Sequence, residues 1–321
     1  MIYIILFLIS FALTYFIKEY AIKKSLVATV NERSSHTVPT PHGGGIAVSL
    51  TWLIGLIYLY MYDQIESSLF FALILGVVIA VVGLVDDIVE LSPKLRMVVF
   101  TAVGVVGIYI IGGLESISFG IFSIENQIVT NIFALLLVLW YINLTNFIDG
   151  INGYLGTKFV FLGVAGFLLF GGAHFMVLTM SIIGFLYWNF GKAKIFMGDV
   201  GSTLLGYTTA IITLYYANVE ATNLWIWVTL YGVFWFDATF TLTKRKLNGE
   251  KLSQAHKKHA YQRLTQVGWS HSKVTFYALG LNMMILALVY FIPNVAISFS
   301  LSLVLLYTAY RFVDGKKSLS S

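Results

Sequence analysis

The chain has no cysteine and little charge. Of its 321 residues, 11% are charged and 58% are hydrophobic. Without cysteine, disulfides and thiolate metal sites are excluded, and the redox compartment cannot be read from the sequence. Soluble domains usually carry about 25% charged residues, and a soluble protein this apolar would expose large apolar patches and aggregate. In a bilayer the apolar side chains face lipid and helices satisfy their own backbone groups, so the composition predicts an integral membrane protein.

Two further features are missing. The first segment, residues 1–16, lacks the basic start and small-residue cleavage site of a secretory signal, so we interpret it as a retained first span. The sequence also shows no low-complexity tail and no soluble domain, and its longest polar stretch is about residues 244–273. We therefore expect a single membrane domain over residues 1–321.

Apolar runs long enough to cross a bilayer recur along the chain. A membrane helix needs about 20 apolar residues, and the sequence predicts an all-α fold of about eleven transmembrane helices. Ten is the alternative, because the sixth and seventh runs are short and meet at Gly171 and Gly172. The predicted spans are residues 2–20, 44–61, 68–85, 97–113, 131–148, 155–171, 174–190, 201–217, 223–243, 274–291 and 294–312.

The basic residues predict the orientation. With eleven spans, all 20 Lys and Arg fall on one side of the membrane, and Lys158 is counted among them. The charged residues of the opposite loops are all acidic, namely Asp63, Glu66, Glu115, Glu125 and Glu220. Because cytoplasmic loops are enriched in Lys and Arg, we expect the N-terminus outside and the basic loops and C-terminus in the cytoplasm.

Five acidic residues mark the cytoplasmic ends of spans, namely Asp86, Asp87, Asp149, Asp199 and Asp237. Ionisable groups at membrane depth are costly and usually functional. All five lie on the same face as the basic loops, and this shared face is the main indication of a site.

The segment Val85–Glu90 favours cation binding. If its helix continues, Asp86, Asp87 and Glu90 share one patch. Like charges this close repel unless a cation binds, and oxygen ligands suit Mg²⁺ or Mn²⁺. The alternative is a solvated acidic helix end. We favour metal or substrate binding, because adjacent acids at the end of an apolar run are costly.

A second motif follows the fifth span. Asn143, Asn146 and Asp149 repeat every three residues and predict a polar stripe on one helix face, while Gly150 and Gly153 allow close approach of the backbone to a ligand. The alternative is hydrogen bonding between helices, which is common in membranes. An Asp directly before a glycine turn at the water interface favours a functional role.

A third motif opens the eighth span. Asp199 there is either a helix cap or part of a phosphate site built on free backbone N–H groups. Phe196 offers a flat face to a base, or packs in the loop. This motif indicates a functional site only in combination with the motifs at Asp86–Asp87 and at residues 143–153.

Two loops add weaker signals. His256, His259 and Arg263 would form one stripe on a helix, which suits diphosphate oxygens. Zinc is disfavoured because no third ligand is evident nearby, and the lysines of this loop also fit ordinary contacts with lipid headgroups. Residues 33–45 combine prolines with three glycines and could shape a lid or a binding turn.

Together these loops match the needs of phosphoryl transfer. That reaction uses a metal to neutralise oxygens, cations to hold a diphosphate, and a carboxylate to position or activate the nucleophile. A substrate with a hydrophobic tail would explain why the site lies at the bilayer surface.

Five motifs in order carry a family resemblance. They are Pro-x-Pro-x-Gly-Gly-Gly at 39–45, Asp-Asp at 86–87, Asn-x-x-Asp-Gly-x-Asn-Gly at 146–153, Phe-Met-Gly-Asp-x-Gly-Ser at 196–202, and the His-containing loop. The chain resembles the polyprenyl-phosphate N-acetylhexosamine-1-phosphate transferases of the glycosyltransferase family 4 type, which include phospho-MurNAc-pentapeptide transferase. The resemblance covers about residues 30–265.

The resemblance implies an Mg²⁺-dependent enzyme of the bacterial inner membrane, with Mn²⁺ as an alternative ion. It would join undecaprenyl phosphate to a UDP-N-acetylated sugar and release UMP. Asp199 then resembles the Mg²⁺ ligand, with Asp87 as a second metal residue. Asp86 and Asp87 resemble the pair that acts on the lipid phosphate, and Asp149 resembles the carboxylate at the diphosphate. Whether Asp86 deprotonates the acceptor or a carboxylate forms a covalent intermediate stays open.

The resemblance also implies a substrate-binding set. Uridine would lie against Gly150, Ile151, Asn152, Asn189 and Phe196. The remaining predicted substrate residues are Asn146, Lys94 and Arg263, and the predicted catalytic histidines are His256 and His259.

The His-containing loop departs from the common pattern. Tyr261 and Gln262 stand where many members carry histidines. This form resembles the subset that initiates O-antigen chains, which implies an N-acetylated hexosamine, or its 6-deoxy variant, as the transferred sugar and a role in lipopolysaccharide synthesis.

Two other classes of membrane protein also use carboxylates. A CDP-alcohol phosphotransferase would need Asp-Gly-x-x-Ala-Arg, and the sequence after Asp149 does not match it. A membrane transporter using the cytoplasmic carboxylates is the main alternative, although the chain shows neither repeated halves nor a mid-span charge pair. The sugar, the lipid length and the oligomeric state, including a homodimer, stay open.

Overall fold

The computed structural model describes residues 1–24, 40–251 and 256–319. Within these ranges the chain forms fourteen α-helices and one short antiparallel hairpin, with Ile117 opposite Ile124. The helices are α1 Ile2–Lys23, α2 Gly44–Met61, α3 Ser67–Ile74, α4 Gly76–Val89, α5 Pro93–Ile110, α6 Gln127–Ile148, α7 Tyr154–Phe170, α8 Ala173–Asn189, α9 Asp199–Val219, α10 Asn223–Leu230, α11 Gly232–Leu247, α12 Ala260–Gln266, α13 His271–Phe291 and α14 Val295–Lys316; the strands are β1 Ile117–Ser118 and β2 Ser123–Ile124.

The predicted all-α membrane fold is confirmed. Among the described residues, seven helical segments are long and apolar enough to cross a membrane, and α7 and α8 are shorter apolar helices. Each of the eleven predicted runs coincides with one helix or with a broken pair. The additional helices arise because the third run breaks at Leu75 and the ninth at Tyr231, and because α12 forms in the last polar loop. Gly171 and Gly172 both have positive φ and separate α7 from α8.

Helix α9 lies at the centre of the bundle. Nearly all of its residues are buried, and it packs against α2, α4 and α6. A Cβ at Gly206 would lie 2.6 Å from the carbonyl oxygen of Tyr141, so α6 and α9 approach backbone to backbone. This packing fixes the start of α9 between the ends of α4 and α6.

The break between α10 and α11 is satisfied by side chains. Lys158 in α7 donates from Nζ to the carbonyl oxygen of Leu230 and to Oδ1 of Asn282, each at 2.6 Å. Trp235 donates from Nε1 to the carbonyl oxygen of Val228 at 2.7 Å. The expectation that Lys158 belongs to a cytoplasmic basic loop is wrong, because its side chain is only 2% exposed and lies inside the bundle.

Candidate active site

The triple-glycine turn packs on the segment before α9. Phe196 donates its backbone N–H to the carbonyl of Pro41 at 2.8 Å, and Gly44 donates to the carbonyl of Phe196 at 2.9 Å. A Cβ at Gly45 would lie 2.3 Å from the backbone nitrogen of Gly201, so only glycine fits there. The turn therefore holds the first residues of α9 in place.

This packing accounts for only part of the predicted lid or binding turn. Residues 33–39 of that prediction lie outside the described residues. Residues 40–45 act as a packing element in the structure, and a binding role for them stays a prediction.

The end of α4 contacts the start of α9. Both carboxylate oxygens of Asp87 accept from the backbone N–H of Asp199, at 3.1 Å each. A Cβ at Gly83 would lie 2.6 Å from the carbonyl oxygen of Asp199, and a Cβ at Gly198 would lie 2.6 Å from Asp87 Oδ2. Close glycine contacts thus bring two carboxylates from distant parts of the chain together.

Arg96 joins this cluster. Its Nη1 is hydrogen-bonded to Asp86 Oδ2 and lies 3.3 Å from Asp199 Oδ2. The other oxygen of Asp86 accepts from the N–H of Leu91 at 2.7 Å. The sequence alone predicts only that Arg96 belongs to the basic side of the membrane. Its position nine residues after Asp87, in the same loop region, is the signal that could have placed it at the site.

Glu90 does not join the acidic pair. Helix α4 ends at Val89, and Glu90 adopts a left-handed conformation with φ 50°. The predicted patch of Asp86, Asp87 and Glu90 required the helix to continue, so that expectation is wrong. Glu90 is exposed instead.

Helix α6 supplies Asn146 and Asp149. Asn146 donates from Nδ2 to Asp199 Oδ1 at 2.7 Å and to Ser202 Oγ at 3.2 Å. Asn143 bonds within its own helix, to the carbonyl of Leu139 at 2.7 Å. The predicted stripe therefore contributes its last two members to the cluster and not its first.

Asp149 follows the last residue of α6 as its C-cap. Burial and the nearby carboxylates of Asp199 and Asp87 raise the pKa of Asp149 to about 7. The cause is the low-dielectric, acidic surrounding, which penalises a further negative charge. Asp149 is thus poised to gain or lose a proton near neutral pH.

Two of the predicted uridine residues, Asn152 and Asn189, hold together the turn after α6 and the segment before α9. Gly153 donates its N–H to Asn189 Oδ1 at 2.8 Å, and Asn189 donates from Nδ2 to the carbonyl of Ile195 at 2.9 Å. Asn152 donates from Nδ2 to the carbonyl of Gly191 at 2.7 Å. Among the described residues, the buried Oδ1 of Asn152 has no hydrogen-bond donor. An acceptor of this kind is suited to a ligand N–H group.

The other three predicted uridine residues belong to the same two segments. Ile151 is buried in the core, and Phe196 is partly exposed. A Cβ at Gly150 would lie 2.2 Å from the hydroxyl of Tyr261. Tyr261 itself donates to the carbonyl of Phe147 at 3.2 Å, so the residue that departs from the family pattern packs against the turn beside Asp149.

The predicted helical stripe of His256, His259 and Arg263 does not form, because α12 begins only at Ala260. Asp237 accepts the N–H of Ala260 at 2.7 Å and so caps this helix. Asp237 therefore serves the loop and not the carboxylate cluster. Burial and the neighbouring His259 lower the pKa of His256 to about 4, so its imidazole is neutral at physiological pH.

Arg263 and Lys94 are placed differently from each other. Arg263 is buried, pairs with Asp314 and donates from Nη1 to the carbonyl of Lys317 at 2.8 Å. Lys94 is exposed in the first turn of α5, two residues before Arg96. The structure thus leaves Lys94 accessible at the start of α5, and Arg263 attaches α12 to α14.

The cluster suits a hard cation in charge and ligand type. Among the described residues, the four carboxylates of Asp86, Asp87, Asp149 and Asp199 accompany the guanidinium of Arg96. Within residues 1–24, 40–251 and 256–319, no three His, Cys, Asp or Glu side chains form a ready metal-binding group. The guanidinium lies between two of the carboxylates instead. The excess negative charge and the oxygen ligands fit Mg²⁺ or Mn²⁺, provided that Arg96 gives way.

Comparison with known proteins places the chain in a family. Residues 69–217, from α3 to α9, match the model of glycosyl transferase family 4. The chain is 30% identical over 303 residues to a probable undecaprenyl-phosphate N-acetylglucosaminyl 1-phosphate transferase of Bacillus subtilis, covering 89% of this chain and 83% of the relative. The chain therefore belongs to glycosyl transferase family 4.

Two further relatives are similar over most of their length. The undecaprenyl-phosphate alpha-N-acetylglucosaminyl 1-phosphate transferase of Thermotoga maritima is 28% identical, over 80% of this chain and 79% of the relative. A decaprenyl-phosphate N-acetylglucosaminephosphotransferase of Mycobacterium tuberculosis is 27% identical, over 82% of this chain and 75% of the relative. The family match includes all four carboxylates of the cluster.

Proposed function

We propose that the protein transfers an N-acetylhexosamine-1-phosphate from a UDP-sugar to undecaprenyl phosphate, in a reaction that depends on Mg²⁺ or Mn²⁺. An oxygen of the lipid phosphate attacks the phosphorus that bears the sugar. The bond from that phosphorus to the bridging oxygen breaks, and UMP leaves. The product is a lipid diphosphate sugar.

The carboxylate cluster carries this proposal. Asp86 and Asp87 at the end of α4, Asp149 at the end of α6 and Asp199 at the start of α9 meet beside apolar helices that can span a membrane. A lipid phosphate is held at this boundary by its own tail. Such a cluster fits a reaction that joins two phosphates, because their negative charges must be neutralised together with those of the carboxylates.

The proposed roles follow from these positions. Asp199 and Asp87 would hold the cation, which supplies charge neutralisation for the phosphate oxygens. Asp86 lies next to Asp87 at the end of α4, and the two carboxylates together would position the acceptor phosphate. Asp149, with a pKa of about 7, would face the diphosphate and can carry a proton at neutral pH. Lys94, exposed at the start of α5 two residues before Arg96, would attract anions.

The nucleotide would bind at the turn after α6. Asn152 offers a buried acceptor without a donor among the described residues, and Asn189 keeps the turn in shape through Gly153. Phe196 offers a partly exposed ring. One acceptor facing a base N–H and one ring face are typical of base recognition.

We place the protein in the bacterial inner membrane with this site on the cytoplasmic side. The support is the predicted location, on the site face, of the Lys and Arg residues other than the buried Lys158. Because the chain has no cysteine, single cysteines at exposed Ser92 and exposed Ser123 can be labelled with an impermeant maleimide in intact cells. We expect labelling at Ser123→Cys only. Labelling at Ser92→Cys only would show that the orientation is the opposite of the proposed one.

The activity test measures UMP release by purified protein in detergent. The reaction contains undecaprenyl phosphate, Mg²⁺ or Mn²⁺, and one UDP-sugar from a panel that includes N-acetylglucosamine, N-acetylgalactosamine, a 6-deoxy N-acetylhexosamine and MurNAc-pentapeptide. We expect release only with lipid and cation, and none with EDTA. Asp199→Asn should lower the rate by about 100-fold or more, whereas Glu90→Gln, an exposed acid next to the cluster, should retain it.

The sugar that reacts decides the biological role. A 6-deoxy or galactosamine donor would support the O-antigen role, and glucosamine would match the activity named for the relatives. If a folded protein released no UMP with any sugar of the panel, the transferase proposal would fall and transport would be tested next.

A further inference from the structure

We infer that Arg96 is a displaceable counter-cation of the carboxylate cluster, and that its guanidinium leaves Asp86 and Asp199 when a divalent cation is held by Asp199 and Asp87. The inference rests on the divalent cation of the proposed function. It goes beyond that function by assigning Arg96 a competing role that sets metal affinity.

The geometry is that of a shared cation. A single nitrogen of Arg96, Nη1, contacts Asp86 from α4 and Asp199 from α9. It contacts Oδ2 of each carboxylate, whereas the Oδ1 atoms accept from Leu91 and Asn146. A divalent cation held by Asp199 and Asp87 would compete directly with the guanidinium for Oδ2 of Asp199. Two cations at the same oxygen repel strongly, so the two states exclude each other.

Arg96 also has freedom to move, unlike two other arginines of this face. Its side chain is 31% exposed, and it stands in the first turn of α5. The side chains of Arg245 and Arg263 are each only 2% exposed and are held in ion pairs with Glu250 and Asp314. Release of Arg96 therefore needs rotation of one side chain and no shift of a helix.

Charge explains why a resident cation is useful. Carboxylates that lie close together are costly at low dielectric. Arg96 lowers this cost in the metal-free protein through its contacts with Asp86 and Asp199. On release, its planar donors become available to an anionic oxygen, which guanidinium groups bind well. Metal binding and anion binding are thereby coupled.

The test follows modification of Arg96 by phenylglyoxal, measured by mass spectrometry on the full protein without substrates. Exposed Arg311 is the internal reference. We expect Mg²⁺ or Mn²⁺ to raise the modification rate of Arg96 by about tenfold, the change that follows from loss of a charge-assisted hydrogen bond. The rate at Arg311 should stay constant, and Asp199→Asn should remove the metal effect.

A second measurement separates competition from general loss of charge. Mn²⁺ binding is titrated by electron paramagnetic resonance on wild type, Arg96→Met and Arg96→Lys. We expect Arg96→Met to bind Mn²⁺ about tenfold more tightly, with Arg96→Lys near wild type. Equal affinity in all three proteins, or Mn²⁺ binding without a change in Arg96 modification, would overturn the inference. Metal-dependent UMP release under that result would leave the proposed function intact.

Discussion

Replacing Asp149 with Asn should stabilise the metal-free protein and strongly reduce turnover. The raised pKa of about 7 means that the folded state disfavours the ionised carboxylate. An unfolded chain ionises this group from about pH 4 upward. The folded state therefore loses stability as pH rises from about 4 to about 7, and the loss is complete above that range.

The size of the effect follows from the shift. A change from 3.8 to about 7, at about 1.36 kcal/mol per pKa unit, gives a ceiling of about 4 kcal/mol. Because Asp149 is partly exposed, solvent screening reduces this value, and we expect about 1–2 kcal/mol at pH 8. In apparent melting temperature this corresponds to about 2–6 °C.

The assay is thermal unfolding in detergent with EDTA at pH 5 and pH 8. The melting temperature of Asp149→Asn should exceed that of wild type clearly at pH 8. At pH 5 the difference should be less than half as large. Asp63→Asn, at an exposed position of the opposite loop, is the matched control and should change neither value. The kcat/KM of Asp63→Asn should match that of wild type, whereas the kcat/KM of Asp149→Asn should fall by about 100-fold or more. A gain of equal size at both pH values, or a lower melting temperature at pH 8, would refute the reasoning.

Three further substitutions test the packing of the site. Gly83→Ala places a Cβ 2.6 Å from the Asp199 carbonyl, so we expect a loss of about 1–3 kcal/mol with lower activity, and full activity would contradict the α4–α9 contact. Lys158→Met leaves a buried carbonyl without its donor and should cost about 1–3 kcal/mol in thermal unfolding, and an unchanged melting temperature would exclude the role of Lys158 at the helix break. Gly150→Ala should lower UMP release because its Cβ meets the Tyr261 hydroxyl at 2.2 Å; Tyr261→Phe in the same chain should restore part of it, and no rescue would place the clash elsewhere.

The sequence alone was sufficient for the helical membrane fold. An apolar run of about 20 residues must form a helix in lipid, because no water is present to satisfy its backbone. This rule is local, so the eleven runs and the glycine division between α7 and α8 could be predicted. The acidic residues at the span ends could also be recognised from the neighbouring sequence alone, because an uncompensated charge next to an apolar run is costly wherever it occurs.

The contacts of those residues depended on tertiary structure. The left-handed turn at Glu90 ended α4 and allowed α5 to bring Arg96 onto Asp86. Asp237 started α12 at Ala260 and so broke the expected stripe of histidines. Lys158 entered the bundle because the break after Leu230 left a carbonyl to satisfy.

Sequence spacing therefore determined which residues stand at the membrane boundary, and the packing of helices decided which of them meet. The physical reason is the difference in the sequence distance over which the two kinds of interaction act. Hydrophobic length and backbone hydrogen bonding act within one segment, whereas the partner of a buried polar group is chosen by whichever segment lies within about 3 Å of it. Asp199 illustrates both, because its position was evident from the sequence and its contacts with Asp87, Arg96 and Asn146 came from three other helices.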